Sequence, residues 1–448
     1  MKVASESSYR VEPCAAVRGE TTIPGDKSIS HRALMLGSLA EGDTRIDGFL
    51  DSEDCLATLG ALRALGVRID GPTDGHVIVH GCGPILHAAS SPLDMGNAGT
   101  AMRLFMGLLA AQSFDSRLVG DASLARRPME RVAVPLRQMG ARIGTRNGRP
   151  PVDIQGGHAL SAIEYELPVP SAQVKSAILL AALRAEGRTR IIEPAPSRDH
   201  TERMLGAFGV ELLHSGGAIA LEGGQALRAT HISVPGDFSS AAFFVVAGCL
   251  AAQEGVVLRG VGVNPTRTGL LDLLREMGAD IRVRASAHLM AAAQPPAEPV
   301  ADIEIHATVL QGIKVDQAAV PLAIDELPVF FIAAACAQGE TLVRGALELR
   351  VKESDRLAAM AEGLGKLGVE HELLPDGIWI RGGSGFSGGV IDSHGDHRIA
   401  MAFAMASVRA RERIDIRNVA SVGTSFPNFV AVARSVGLQI DLCPPSTS

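Results

Sequence analysis

One pattern of apolar and polar positions recurs six times along the chain. Leu or Met at helical spacing leads to a Gly, then a small or aliphatic residue, any residue, and usually another aliphatic one. The first copies are Leu65-Gly66-Val67-Arg68-Ile69, Met139-Gly140-Ala141-Arg142-Ile143 and Phe208-Gly209-Val210-Glu211-Leu212. The later ones are Met277-Gly278-Ala279-Asp280-Ile281, Leu367-Gly368-Val369-Glu370-His371 and Val436-Gly437-Leu438-Gln439-Ile440. The apolar spacing predicts a helix, the glycine its left-handed cap, and the alternation after it a strand. These glycines stand 74, 69, 69, 90 and 69 residues apart, so six repeats fill the chain.

Most repeats carry a second apolar helix followed by a strand, as in residues 32–46, 175–192 and 329–343. The expected repeat is therefore β-α-β-α-β-β. Runs such as Ala177-Ile178-Leu179-Leu180-Ala181-Ala182-Leu183 have almost no polar face and are expected inside, with sheets around them. A second repetition sets Pro24-Gly25-Asp26 against Pro235-Gly236-Asp237, 211 residues on. It predicts two lobes of three repeats: residues 1–24 with 236–448, and residues 25–235. A solenoid or a string of unrelated α/β domains accounts for this pattern less well.

Composition narrows the class of protein. Of 448 residues, 46% are hydrophobic and only 4% aromatic, so the core is mainly aliphatic. A net charge of −7 argues against a general grip on nucleic acid or anionic membrane. The six cysteines are scattered without a CxxC pair, as expected of reduced thiols. No apolar run suits a membrane span, and residues 1–15 do not read as a leader, so a cytoplasmic location is expected.

Phosphate-loop motifs are weak: Gly363-Leu364-Gly365-Lys366 lacks the required spacing. His394 and His397 have no companion ligands, and no metal is expected. The stronger signals are polar clusters at helix starts. Asp26-Lys27-Ser28-Ile29-Ser30-His31-Arg32 places cations and hydroxyls where free N–H groups already favour an anion. Gly96-Asn97-Ala98-Gly99-Thr100 and Ser171-Ala172-Gln173-Val174-Lys175 offer backbone approach, an amide and a hydroxyl in the same setting.

These segments, with Arg126-Arg127-Pro128-Met129, Asp325-Glu326-Leu327-Pro328, Arg350-Val351-Lys352-Glu353-Ser354-Asp355-Arg356 and Asp396-His397-Arg398, resemble the EPSP synthase family over essentially the whole chain. The resemblance implies a two-lobed α/β enolpyruvyl transferase fold of six βαβαββ units, with the active site between the lobes. It implies transfer of the enolpyruvyl group of phosphoenolpyruvate to the 5-hydroxyl of shikimate 3-phosphate, without metal or cofactor. By similarity, Lys27, Ser28, Arg32, Ser171, Ala172, Gln173, Arg198, Asp325 and Lys352 would hold shikimate 3-phosphate. Lys27, Gly99, Arg127, Gln173, Arg356 and Arg398 would hold phosphoenolpyruvate. Asp325 would take the hydroxyl proton, and Glu353, assisted by Lys27, would serve the methylene carbon.

Ser197-Arg198-Asp199-His200-Thr201-Glu202 resembles the class II branch, and Ala172 and Thr424 depart from the better-known branch. Gly99 is kept, so inhibition by glyphosate is expected. A monomer that closes on shikimate 3-phosphate about its Pro-Gly-Asp corners is the expected form. Two rivals are a UDP-N-acetylglucosamine enolpyruvyl transferase and a non-catalytic six-unit scaffold. The first would favour a catalytic cysteine where this chain has Ala125-Arg126-Arg127-Pro128, and the second needs no cluster of cations.

Overall fold

The computed structural model describes residues 7–285 and 298–444, and these divide into two compact units. Unit 1 holds residues 7–24, 235–285 and 299–444; unit 2 holds residues 25–234 together with Glu298. The Pro-Gly-Asp corners lie at the chain passages between the units. Asp26 caps the helix Lys27–Leu39 by accepting from the Ile29 N–H at 2.9 Å. Asp237 caps Phe238–Ala251 by accepting from the Ser239 and Ser240 N–H groups. Pro235, which falls in unit 1, and Glu298, which falls in unit 2, depart from the expected partition. The Glu298 carboxylate meets His200 of unit 2 at 2.5 Å, and both side chains are buried.

Every glycine of the sixfold phrase has the left-handed backbone predicted for it, with φ between 81° (Gly368) and 103° (Gly140, Gly437). That region excludes most side chains, which is why glycine stands at each helix-to-strand corner. Among the described residues the strands form six sheets, three in each unit. Each sheet is built alike: the strand after the inner helix and the strand after the glycine both pair antiparallel with a strand between them. In the first repeat Ala40–Asp47 and Arg68–Thr73 flank His76–Cys82 in this way.

Among the described residues the sixth repeat contains no middle strand of its own. Ser8–Val11, from the start of the chain, fills that place between Ile414–Arg417 and Ile440–Cys443. Gly19–Thr22 joins the fourth repeat by pairing parallel with Val256–Gly262. Residues ahead of the first corner therefore belong to unit 1 by hydrogen bonding.

The inner helices are apolar on all sides because all sides are covered. Every residue of Phe238–Ala251 is buried, as is all of Leu327–Cys336 except Cys336. In unit 2 the helices Gly99–Ala110 and Ala172–Ala182 approach so closely at Gly107 that a Cβ there would lie 2.1 Å from the Ala177 carbonyl oxygen. Each unit has its own continuous aliphatic core. Among the described residues no single helix is long and apolar enough to cross a membrane. This packing turns the N-terminal ends of the inner helices, where the polar motifs sit, into fixed platforms.

Candidate active site

In unit 2, three helix starts carry the predicted polar residues. Lys27, the first residue of Lys27–Leu39, pairs with Asp54 at 2.8 Å. Arg32, one turn on, is buried and held three ways. Its Nε donates to Thr201 Oγ1 at 2.7 Å, one terminal nitrogen to Ser176 Oγ at 2.8 Å, and the other to the Ser28 carbonyl at 2.9 Å. Burial pushes its pKa down to about 10, with Glu202 and Asp26 opposing, so it keeps its charge at neutral pH. Arg198 is near enough to add to that depression. His31 is driven the same way by burial and by Lys27 and Arg32, down to about 3, and is neutral.

Gly99 opens the helix Gly99–Ala110, and Ser171 caps Ala172–Ala182. The N–H groups of Ala172 and Gln173 have no partner within their helix, as the geometry of a first turn requires. Gln173 is fixed at both ends of its amide: Oε1 accepts from Arg103 and Nε2 donates to Thr100, each at 2.9 Å. Arg127 donates to Asn97 and Ser123. Two helical residues beyond Gln173, Lys175 is almost wholly buried and bridges Glu193 and Glu202, each at 2.7 Å. Glu202 itself is raised by burial, against the pull of Lys175.

Unit 1 centres on Arg356, whose side chain is 1% exposed. It binds Asp396 through Nε at 2.8 Å, Asp325 through one terminal nitrogen at 3.2 Å and Glu353 through the other at 2.5 Å. Burial would lower this guanidinium, but Asp396, Glu353 and Asp325 together raise it well above its ordinary value. Lys352 Nζ lies 3.5 Å from Asp325. Arg398, capped with its helix by Asp396, donates to the Asp325 carbonyl at 2.9 Å. The site candidates thus fall into two sets: Lys27, Ser28, Arg32, Gly99, Arg127, Ser171, Ala172, Gln173 and Arg198 in unit 2, and Asp325, Lys352, Glu353, Arg356 and Arg398 in unit 1.

Sequence reading missed the protein partners of these cations. An exposed ion pair at a helix start is one reading of Glu353 and Arg356; the pair exists, but its guanidinium is buried. The helix begins at Arg356, which leaves Glu353 in the preceding turn. Asp54, Arg103, Lys175, Glu326 and Asp396 were not assigned roles. A usable signal was present for Lys175, a lone charge opening an otherwise apolar helix.

Comparison with known proteins settles the family of the chain. The family model of EPSP synthase (3-phosphoshikimate 1-carboxyvinyltransferase) matches residues 11–432. The chain belongs to the EPSP synthase family. Its relatives include the 3-phosphoshikimate 1-carboxyvinyltransferase of Methylococcus capsulatus, 55% identical over 97% of this chain and 98% of that one. That of Alkalilimnicola ehrlichii is 56% identical over 96% of each. The EPSP synthase structure from Acinetobacter baumannii superposes with a TM-score of 0.86 at 51% identity, covering 98% of this chain and 100% of that one. An enolpyruvyl transferase from Streptomyces tendae, NikO, shares the fold with a TM-score of 0.76 at 17% identity. The six similar sheets, three in each unit, are therefore those of an enolpyruvyl transferase fold.

Proposed function

We propose that the chain is a 3-phosphoshikimate 1-carboxyvinyltransferase, moving the enolpyruvyl group of phosphoenolpyruvate to the 5-hydroxyl of shikimate 3-phosphate and releasing phosphate. The full-length relationship carries this reading. The chemistry of the two residue sets supports it, since both substrates are polyanions and the sets supply Lys and Arg heads on rigid helix ends.

The roles follow from that reading. Shikimate 3-phosphate is held by Lys27, Ser28, Arg32, Ser171, Ala172, Gln173 and Arg198 with Asp325 and Lys352. Phosphoenolpyruvate is held by Lys27, Gly99, Arg127, Gln173, Arg356 and Arg398. In the addition step the Asp325 carboxylate takes the 5-hydroxyl proton as the oxygen bonds to C2, while C3 gains a proton through Glu353. In the elimination step C3 returns its proton and the C2–O bond to phosphate breaks, the departing phosphate taking up the proton that Asp325 received from the 5-hydroxyl, so protons balance over the cycle. Arg356 is fully engaged with carboxylates, so phosphoenolpyruvate reaches it only if one of them yields. Glu353, 22% exposed, is the least buried of the three.

The nucleotide-sugar rival gains nothing from Cys55, the cysteine that stands against Lys27. Cys55, with Sγ 3.9 Å from the Lys27 carbonyl, is buried and its thiol is pushed far above the usual range by that burial. The test is phosphate release with each acceptor supplied separately. Release is expected with shikimate 3-phosphate and none with UDP-N-acetylglucosamine; the reverse result would overturn the reading.

Gly99 gives a sharper prediction. A Cβ at this position would lie 2.9 Å from a terminal nitrogen of Arg127 and 3.1 Å from one of Arg103. Gly99→Ala should displace the Arg127 head and raise KM for phosphoenolpyruvate about tenfold, the effect of weakening one charged hydrogen bond. KM for shikimate 3-phosphate should change less. Steady-state kinetics with each substrate varied checks this, and an unchanged phosphoenolpyruvate KM counts against Arg127 as its ligand.

A further inference from the structure

The second Pro-Gly-Asp corner has no role in the reaction described above, yet it leads to a buried charge beside it. Ser239, two residues past Asp237, donates its hydroxyl to Glu326 Oε1. Arg267 donates to both Ser239 Oγ at 2.7 Å and Asp237 Oδ1 at 3.1 Å. Glu326 is 1% exposed, and its Oε2 has no hydrogen-bond partner among the described residues. A carboxylate with half its accepting capacity unused is costly to bury unless nearby cations compensate it. The compensation comes from Arg267 through Ser239 and from Arg398, whose terminal nitrogen lies 3.7 Å from Glu326 Oε1.

We infer that Glu326 is a positioning residue for Arg398, held in place by Ser239 and Arg267. The same Arg398 nitrogen donates to the Asp325 carbonyl at 2.9 Å, so a backbone oxygen and a side-chain charge on successive residues fix one guanidinium. Arg398 then meets its anion already aimed, which removes the ordering cost from binding. The inference rests on the assignment of Arg398 to phosphoenolpyruvate.

Glu326→Gln keeps the shape and the Ser239 contact but removes the charge. It should raise KM for phosphoenolpyruvate about tenfold, with kcat and KM for shikimate 3-phosphate within about threefold of wild type. Ser239→Ala, which leaves both charges in place, should move the same constant by a smaller factor, and serves if the Gln variant folds poorly. In an Arg398→Ala background Glu326→Gln should add nothing further. If Arg398→Ala raises that KM and Glu326→Gln leaves it unchanged, or if the two effects simply multiply, the positioning role is wrong while the assignment of Arg398 stands. If Arg398→Ala itself leaves the constant unchanged, both fall.

Discussion

Asp325→Asn is expected to lower kcat by about 10²–10⁴-fold, the range for removing a general base, with the fold intact. The substitution conserves volume and leaves the backbone carbonyl that accepts from Arg398 untouched. Arg356 retains Asp396 and Glu353, so the buried guanidinium is not stranded. What disappears is the carboxylate that stands between Lys352 at 3.5 Å and Arg356 at 3.2 Å. An amide can still accept a hydrogen bond from the 5-hydroxyl, but it cannot take the proton. KM for shikimate 3-phosphate should therefore move by only a few-fold while kcat collapses.

Glu353→Gln separates the two proton roles. If Glu353 serves C3, that variant should slow exchange of solvent deuterium into the methylene group, an exchange the Asp325 variant affects only through addition. A kcat for Asp325→Asn within about fivefold of wild type would remove Asp325 from the role of base.

Local chemistry and long-range pairing were unequally legible in the chain. The six helix-to-strand corners were readable because a left-handed cap selects glycine at a single position, as at Gly140 and Gly437. The inner helices were readable because complete burial erases their polar face, as in residues 177–183. The motifs also marked the helix starts on which cations stand. The partners were not readable. Lys27 meets Asp54 across 27 residues, Arg103 meets Gln173 across 70 and Arg32 meets Thr201 across 169. Periodicity reports that a face is covered, but not which element covers it. The same limit hid the N-terminal strand that completes the sixth repeat, since alternation in Ser8–Val11 names no neighbour.

Lys175, a cation buried in unit 2, carries the largest expected effect on stability. Lys175→Met preserves length and apolar volume but leaves Glu193 and Glu202, 8% and 3% exposed, without the ammonium group that bridges them. Breaking a buried ion pair from one side costs about 3–5 kcal/mol. Glu193 keeps the Ser197 hydroxyl, so Glu202 bears most of the loss. Its pKa is already raised by burial, with Lys175 the main opposing influence, and removing Lys175 raises it further.

The sign of the pH dependence follows from that shift. A carboxyl raised above its unfolded value is protonated more readily in the folded state. The variant's deficit relative to wild type should therefore be small below the unfolded glutamate value of about 4.3 and grow as pH rises through the folded value. Glu202→Gln added to Lys175→Met should recover part of the loss, because the stranded charge is gone. The damage should also reach the substrate site. Thr201 and Ser176, the immediate neighbours of Glu202 and Lys175, are the two hydroxyls that hold Arg32. Affinity for shikimate 3-phosphate should fall more than affinity for phosphoenolpyruvate. Denaturant titrations across pH with both variants check the argument; a deficit below about 1 kcal/mol, or one that does not change with pH, would mean the two glutamates find compensation elsewhere.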